Sequence, residues 1–116
     1  MIDDVTTDAL HTALDGLAMR QRVIADNVAN IETPGFLAGR VNFEDALRSA
    51  VADGTPAADV APTVSRSLEP TRTDGNNVNL DEETISGIDT NMQYELVLNA
   101  LNAKYGLMSD VLKGGA

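Results

Sequence analysis

Residues able to do chemistry are few in this sequence, and they do not converge. His11 is the only histidine. As a lone imidazole on a helix, it reads as a solvated side chain and not as a base or a metal ligand. The densest acidic run is Asp81-Glu82-Glu83. Consecutive residues on a helix point in different directions, so these carboxylates do not aim at one ion. The same run suits the first turn of a helix, where the dipole favours negative charge. Ser49, Ser65 and Ser67 have no base near them in sequence, and no glycine-rich phosphate loop is present. There is no cysteine, which excludes disulfides, a thiolate nucleophile and cysteine-based metal sites. Tyr94, Tyr105 and the methionines read as packing residues. The sequence therefore predicts no catalytic residue, no metal, no cofactor and no enzymatic activity.

Two amides stand out instead. Asn27 and Asn30 lie about one helical turn apart, just ahead of Thr33-Pro34-Gly35-Phe36. Pro34 pushes Thr33 out of the α region, and Pro followed by Gly suits the central positions of a type II turn. The expected result is a helix that stops, a chain that leaves in a fixed direction, and Phe36 packed back against the helix. A stop does not require both amides. Their side chains are expected to bond exposed carbonyls or a neighbouring subunit.

Three zones position these residues. The first is a helix over about 6–31. Leu10, Leu14, Leu17, Ile24, Val28 and Ile31 recur at spacings of four and three, with Gln21 in the one polar slot, as in a coiled-coil seam. Thr6, Thr7 and Asp8 are candidate caps, and Gly16 weakens the helix by about 1 kcal/mol relative to Ala. The second zone begins at Phe36. A short helix is expected over 42–52, with Phe43, Ala46, Leu47, Ala50 and Val51 on one face. Pro56, Pro62 and Pro70 then punctuate an irregular segment to about residue 77. Val60, Pro62 and Val64 alternate weakly, as a short strand would, and Asp74-Gly75 is a turn signal.

The third zone is a helix over about 80–112. Its start is signalled twice: Asn79 with Glu82 as a capping box, or Asp81 as cap with Leu80 and Ile85 as a hydrophobic staple. Ile85, Ile88, Met92, Tyr94, Leu98, Leu101, Tyr105, Met108 and Leu112 form its apolar stripe. Lys113 suits the dipole, and Gly114-Gly115 stop the helix. Such a helix is about 48 Å long, whereas a compact domain of this size has a radius of gyration of about 13 Å. One chain cannot cover it, so the stripes are expected to serve as subunit interfaces.

Composition points the same way. The chain has 116 residues and is 43% hydrophobic, too apolar for a wholly disordered tail. With two Phe, two Tyr and no Trp, it lacks the aromatics that usually fill a small core. A net charge of −10 disfavours nucleic acid and anionic membrane surfaces as partners. No apolar run reaches transmembrane length. The N-terminus lacks the basic and apolar regions of a cleaved signal peptide, which by itself suggests the cytosol.

The segment Asp26 to Phe36 resembles the signature of the flagellar axial family of rod, hook and hook-associated proteins. Asn27, Asn30, Thr33, Pro34, Gly35 and Phe36 all match. Gly75-Asn76-Asn77-Val78-Asn79-Leu80-Asp81-Glu82-Glu83 resembles the segment preceding the C-terminal helix of the family's proximal-rod members. Met92-Gln93-Tyr94-Glu95, with Leu98, Leu101 and Lys104, resembles their closing helix, and the length fits that branch. The resemblance implies export through the flagellar type III apparatus without a cleaved signal, and assembly in the periplasm rather than residence in the cytosol. It also implies a coiled-coil-like tube of terminal helices around the export channel. The implied partners are other copies, the rod proteins FlgC, FlgF and FlgG, FliE, and the export gate or membrane-ring base.

The expectation is thus an elongated all-α subunit, with two long terminal helices packed as a coiled-coil-like pair or bundle. Residues 1–35 form the N-terminal helix and motif, 36–79 a short helix and irregular linker, and 80–116 the C-terminal helix. The expected function is a structural subunit of the proximal rod, transmitting torque and enclosing the export channel. The alternative is a helical adaptor or type III secretion chaperone. An adaptor closes into a complex of fixed size, whereas a rod subunit joins an open helical array.

Overall fold

The computed structural model describes residues 5–114; the acidic N-terminal start and Gly115 lie outside them. Two long helices dominate. Helix α1 spans Val5–Ala29 and helix α3 spans Leu80–Gly114. Asn27 meets Glu83, Gln21 meets Asn91, and His11 meets Tyr105. One number rises as the other falls, so the two helices are antiparallel. The radius of gyration is 17.9 Å and the principal extents are 67 × 27 × 15 Å. The elongated, mainly helical form read from the sequence is the form observed.

Between the helices, the chain builds a small platform against α1. Strand β1 (Gly39–Asn42) leads into helix α2 (Glu44–Asp53), and strand β2 (Thr63–Arg66) returns antiparallel to β1. Gly39 pairs with Arg66 and Asn42 with Thr63. A 3₁₀ turn at Ala57–Asp59 separates α2 from β2. It is tied to α1 by the Thr12 hydroxyl, which donates to the Ala57 carbonyl at 3.0 Å. The core is Leu17, Val41 and Phe43, with Ala13, Met19, Val23, Leu47, Tyr94 and Val97 packed against it.

Several boundaries depart from the sequence reading. Helix α1 stops at Ala29 and not at Ile31, because the Asn30 carbonyl is taken by the Thr33 N–H and by the Asn76 amide. Asn42 belongs to β1, and Phe43 precedes α2. Strand β1 was not expected. Its four residues include one aliphatic side chain, and its partners lie more than twenty residues away. The segment read as irregular is pinned at Ser67, Asn76 and Asn77, all buried.

The ring of Phe43 lies on Gly16. A Cβ there would stand 2.5 Å from two ring carbons, so the glycine that weakens α1 locally is what lets the platform dock. Arg20, one turn further along α1, lies over the same ring, with its guanidinium carbon 5.1 Å from the Phe43 ring centre. It donates to both carboxylate oxygens of Glu44 at 2.7 Å and to the Val41 carbonyl at 2.7 Å. The Arg20 hydrogen bond holds the Glu44 carboxyl below its usual range, against the opposing effect of partial burial.

Two outcomes follow from this contact. Gly16→Ala should destabilise the chain in urea unfolding followed by circular dichroism. Overpacking costs about 1–3 kcal/mol, which outweighs the gain in helix propensity of about 1 kcal/mol. Combining it with Phe43→Leu should recover part of the loss, because the two sites couple directly. Glu44→Gln should cost less than about 1 kcal/mol at neutral pH, since the Glu44 side chain is half exposed and solvent screens such a pair. The Glu44 value is lower in the folded than in the unfolded chain, so its contribution is present at neutral pH. It is lost as the pH falls through the folded value. Unfolding curves of the two proteins should therefore converge in acid.

Candidate functional site

The two sequence motifs, about fifty residues apart, form one junction where α1 ends and α3 begins. Asn27 is fully buried at its centre. Its amide accepts from the Gly39 N–H at 2.8 Å and donates to the Gly39 carbonyl at 3.0 Å. One side chain thus satisfies both backbone groups of a residue that opens β1. The same amide nitrogen donates to Glu83 at 3.1 Å. Glu83 is 2% exposed, and its other oxygen accepts from Arg40 at 2.9 Å. A buried carboxylate without partners costs several kcal/mol; here an amide and a guanidinium supply them. Arg40 also faces Glu69 at 3.7 Å and Glu82 at 3.6 Å.

Asn30 acts locally. It donates to the Asp26 carbonyl at 2.8 Å and accepts from the Thr33 hydroxyl at 3.1 Å. The Phe36 N–H bonds the Thr33 carbonyl at 3.2 Å, and Gly35 has φ 75°. This is the turn expected of Pro34-Gly35, with glycine supplying the positive φ. Gly75, also at positive φ, packs against it; a Cβ on Gly75 would lie 3.2 Å from the Gly35 Cα. Phe36 is half-buried, with the Arg66 guanidinium carbon 5.5 Å from its ring centre.

The second motif supplies the answering donors. Asn76, fully buried, donates to the carbonyls of Asn30 at 2.8 Å and Thr33 at 2.9 Å, while its own oxygen accepts from Val78. Asn77 accepts from the Ala38 N–H at 2.7 Å and donates to the carbonyls of Ser67 and Glu69 at 3.1 Å. Arg72 donates to the carbonyls of Val78 and Ile31. Asn79 then caps α3, accepting from the N–H groups of Asp81 at 3.0 Å and Glu82 at 3.2 Å. Sequence reasoning singled out Asn27, Asn30 and Asn79. It gave no role to Gly39, Arg40, Arg72, Asn76 or Asn77. The clustering of asparagines in both motifs was the available signal, since an amide alone can serve a backbone N–H and C=O together.

Beyond the junction, α3 has two apolar faces. The face against α1 runs Glu83, Gly87, Thr90, Tyr94, Val97, Leu101, Lys104 and Met108, all buried or half-buried. Its spacing alternates four and three, the period of a coiled-coil seam. The opposite face carries Ile85, Ile88, Met92, Leu96 and Leu107, each more than half exposed. The stripe read from sequence therefore divides. Tyr94, Leu101 and Met108 turn toward α1, as do Leu10, Leu14, Leu17 and Ile24 from the other side. Ile85, Ile88, Met92 and Leu112 are exposed, Leu98, Tyr105 and Val28 are partly so, and Ile31 is half-buried beside the junction. His11 reaches Tyr105 at 2.8 Å. Among the described residues, no group of His, Cys, Asp or Glu is placed to hold a metal ion, and no helix is long and apolar enough to cross a membrane.

Comparison with known proteins gives one consistent result. The family described as Flagella basal body rod protein matches residues 9–36, most of α1 and the whole first motif. Curated relatives called Flagellar basal body rod protein FlgB align over nearly the full chain. The protein from Borrelia hermsii is 31% identical over 97% of this chain and 98% of its own length. That from Escherichia coli K12 is 31% identical over 89% of each, and that from Bacillus subtilis 28% over 95% of each.

The junction makes a testable demand on Asn27. Asn27→Ala leaves the Gly39 N–H without its partner, at about 1–3 kcal/mol for the unsatisfied group, while the Gly39 carbonyl keeps the Arg40 guanidinium at 3.0 Å. Asn27→Asp keeps an acceptor but places a second carboxylate beside buried Glu83, so it should destabilise more at neutral pH. Protonation of the new carboxyl removes that repulsion. Stability curves of the two variants against pH should therefore draw together as the pH falls.

Proposed function

Since this chain belongs to the flagellar basal body rod protein family, in its FlgB branch, and is a structural component of the flagellar basal body, we propose that it builds the proximal rod. In this reading it polymerises through its terminal helices, transmits torque along the rod and encloses the export channel. It reaches the periplasm through the flagellar export apparatus without a cleaved signal. Its neighbours are further copies, FlgC, FlgF and FlgG, with FliE and the export gate or membrane-ring base below.

The observation that carries this reading is the second apolar face of α3. A helix with one partner needs one apolar stripe. Here α1 already occupies the coiled-coil seam, yet Ile85, Ile88, Met92 and Leu96 are 58–71% exposed on the other side. Contiguous exposed apolar surface of this kind marks an interaction site, and a helical array gives every copy a neighbour there. The α1 surface facing away from α3 differs: it carries Asp15, Arg22 and Asp26, all exposed. Thus α3 is expected to face the inside of the assembly and α1 the outside. The seam residues Leu10, Leu14, Leu17, Ile24, Tyr94, Leu101 and Met108 then hold the hairpin that presents this face.

The test separates folding from assembly. Met92→Glu should leave the helicity of the purified chain unchanged, because the side chain is 65% exposed. It should abolish swimming when it replaces the wild-type chain, and purified basal bodies should lack rods. Ala25→Glu, on the exposed side of α1, should swim nearly normally. Normal rods built from Met92→Glu would remove the outer face from the assembly interface.

A further inference from the structure

The α1-facing residues Gly87, Tyr94, Leu101 and Met108 recur every seven places, as in a coiled-coil seam. The row offset from them by five therefore runs along the far side of α3: Ile85, Met92, Asn99, Gly106 and Lys113, all exposed. This row changes character at Asn99. Before it, Ile85 and Met92 stand with Ile88 and Leu96 beside them, 58–71% exposed. They are flanked by Asp81, Glu82, Asp89 and Glu95, also exposed, and residues 80–99 contain no basic residue. After Asn99 the face is small, with Ala103 and Gly106, and its charges are Asp110 and Lys113. Glu82 lies 3.6 Å from Arg40. Asp81, Asp89, Glu95 and Lys113 form no ion pair among the described residues. Gly106 also lacks a reason within the chain. A Cβ there would meet nothing within 4 Å, although glycine weakens a helix interior.

We infer that outside the rod a second copy of the chain covers this face, α3 against α3, antiparallel about a two-fold axis beside Asn99. In that register Met92 of each copy lies over Gly106 of the other. Lys113 of each copy lies beside Ile85 of the other, within a turn of Glu82 and Asp89. Charge selects the direction. Parallel pairing in register would set four carboxylates against the same four, and like charges across an interface suppress a pairing. Antiparallel pairing sets them against a half whose own two charges cancel, and gives Asp89 the cation it lacks within the chain. Size selects the same direction, because a face with large side chains at one end and small ones at the other fits itself when reversed. The contact is isologous and closes at two copies. A helical array, in which all copies point one way, cannot contain it. The dimer therefore hides Met92 and its neighbours before assembly, and the two uses of the face exclude each other. The inference concerns the same face as the rod reading but does not depend on it.

The chain has no cysteine, so single introduced thiols report the contact in the purified full-length protein. On mild oxidation Asn99→Cys, at the axis, should give a disulfide-linked dimer. Met92→Cys alone should not, because the two copies of that position stand about 21 Å apart along the pair. Met92→Cys mixed with Gly106→Cys should give a mixed dimer at a yield several-fold above either variant alone. Adding Lys113→Glu to the Asn99→Cys chain should lower its dimer yield several-fold. In sedimentation velocity the unsubstituted chain should run as a dimer, and Met92→Glu as a monomer of unchanged helicity. Self-linking of Met92→Cys at the yield of Asn99→Cys would show parallel pairing and overturn the inference. A monomeric unsubstituted chain would also overturn it, and would leave the rod reading, which is tested on basal bodies, as it stands.

Discussion

The rest of the structure hangs on one buried polar contact, the Asn27 amide bonded to both backbone groups of Gly39. Buried N–H and C=O groups must be satisfied, and β1 enters the interior at a point where no neighbouring strand faces it. A side chain with one donor end and one acceptor end mimics a strand at that point. Because Asn27 sits on α1 and also reaches Glu83 on α3, a single residue sets the height of the platform on α1 and the register of α1 against α3. The other amides repeat this device. Asn76 and Asn77 serve carbonyls and N–H groups left over where α1 has stopped and α3 has not begun. The junction is rigid for a chemical reason: in a buried network a missing partner costs more than a partner contributes.

That rigidity matters because the rest of the chain is thin. The molecule is 15 Å across in its smallest dimension, hardly more than one helix with its side chains. Such a body has little interior, and its core holds one aromatic ring, Phe43, resting on Gly16. The face of α3 that meets α1 includes the small residues Gly87 and Thr90. The larger aliphatic side chains of α3 lie on the far side. The apolar surface that a globular protein would spend on its own core is here turned outward. For a structural member of the flagellar basal body, such outward apolar surface is available to other components of the rod.

Much of this was legible in the residues themselves. Leu10, Leu14 and Leu17 at spacings of four and three announce a helix. Pro34-Gly35 announces its end, and Asn79 before Asp81-Glu82-Glu83 announces the start of the next; these signals are local, and backbone geometry reads them locally. Propensity, capping and φ at glycine act over a few residues, so sequence alone determined that two long helices stand at the ends of an elongated chain. Sequence alone also carried the motif that identifies the family. Tertiary structure decided what has no local signal. Strand β1 exists because β2 and Asn27 lie beside it, and Gly16 is required because Phe43 arrives from another element. Whether Met92 or Tyr94 faces α1 depends on about 160° of helix rotation, the separation of two positions along a chain that advances about 100° per residue. Apolar residues on both faces of α3 leave that rotation open, and the buried Asn27–Glu83 contact, which only the folded chain brings together, sets it.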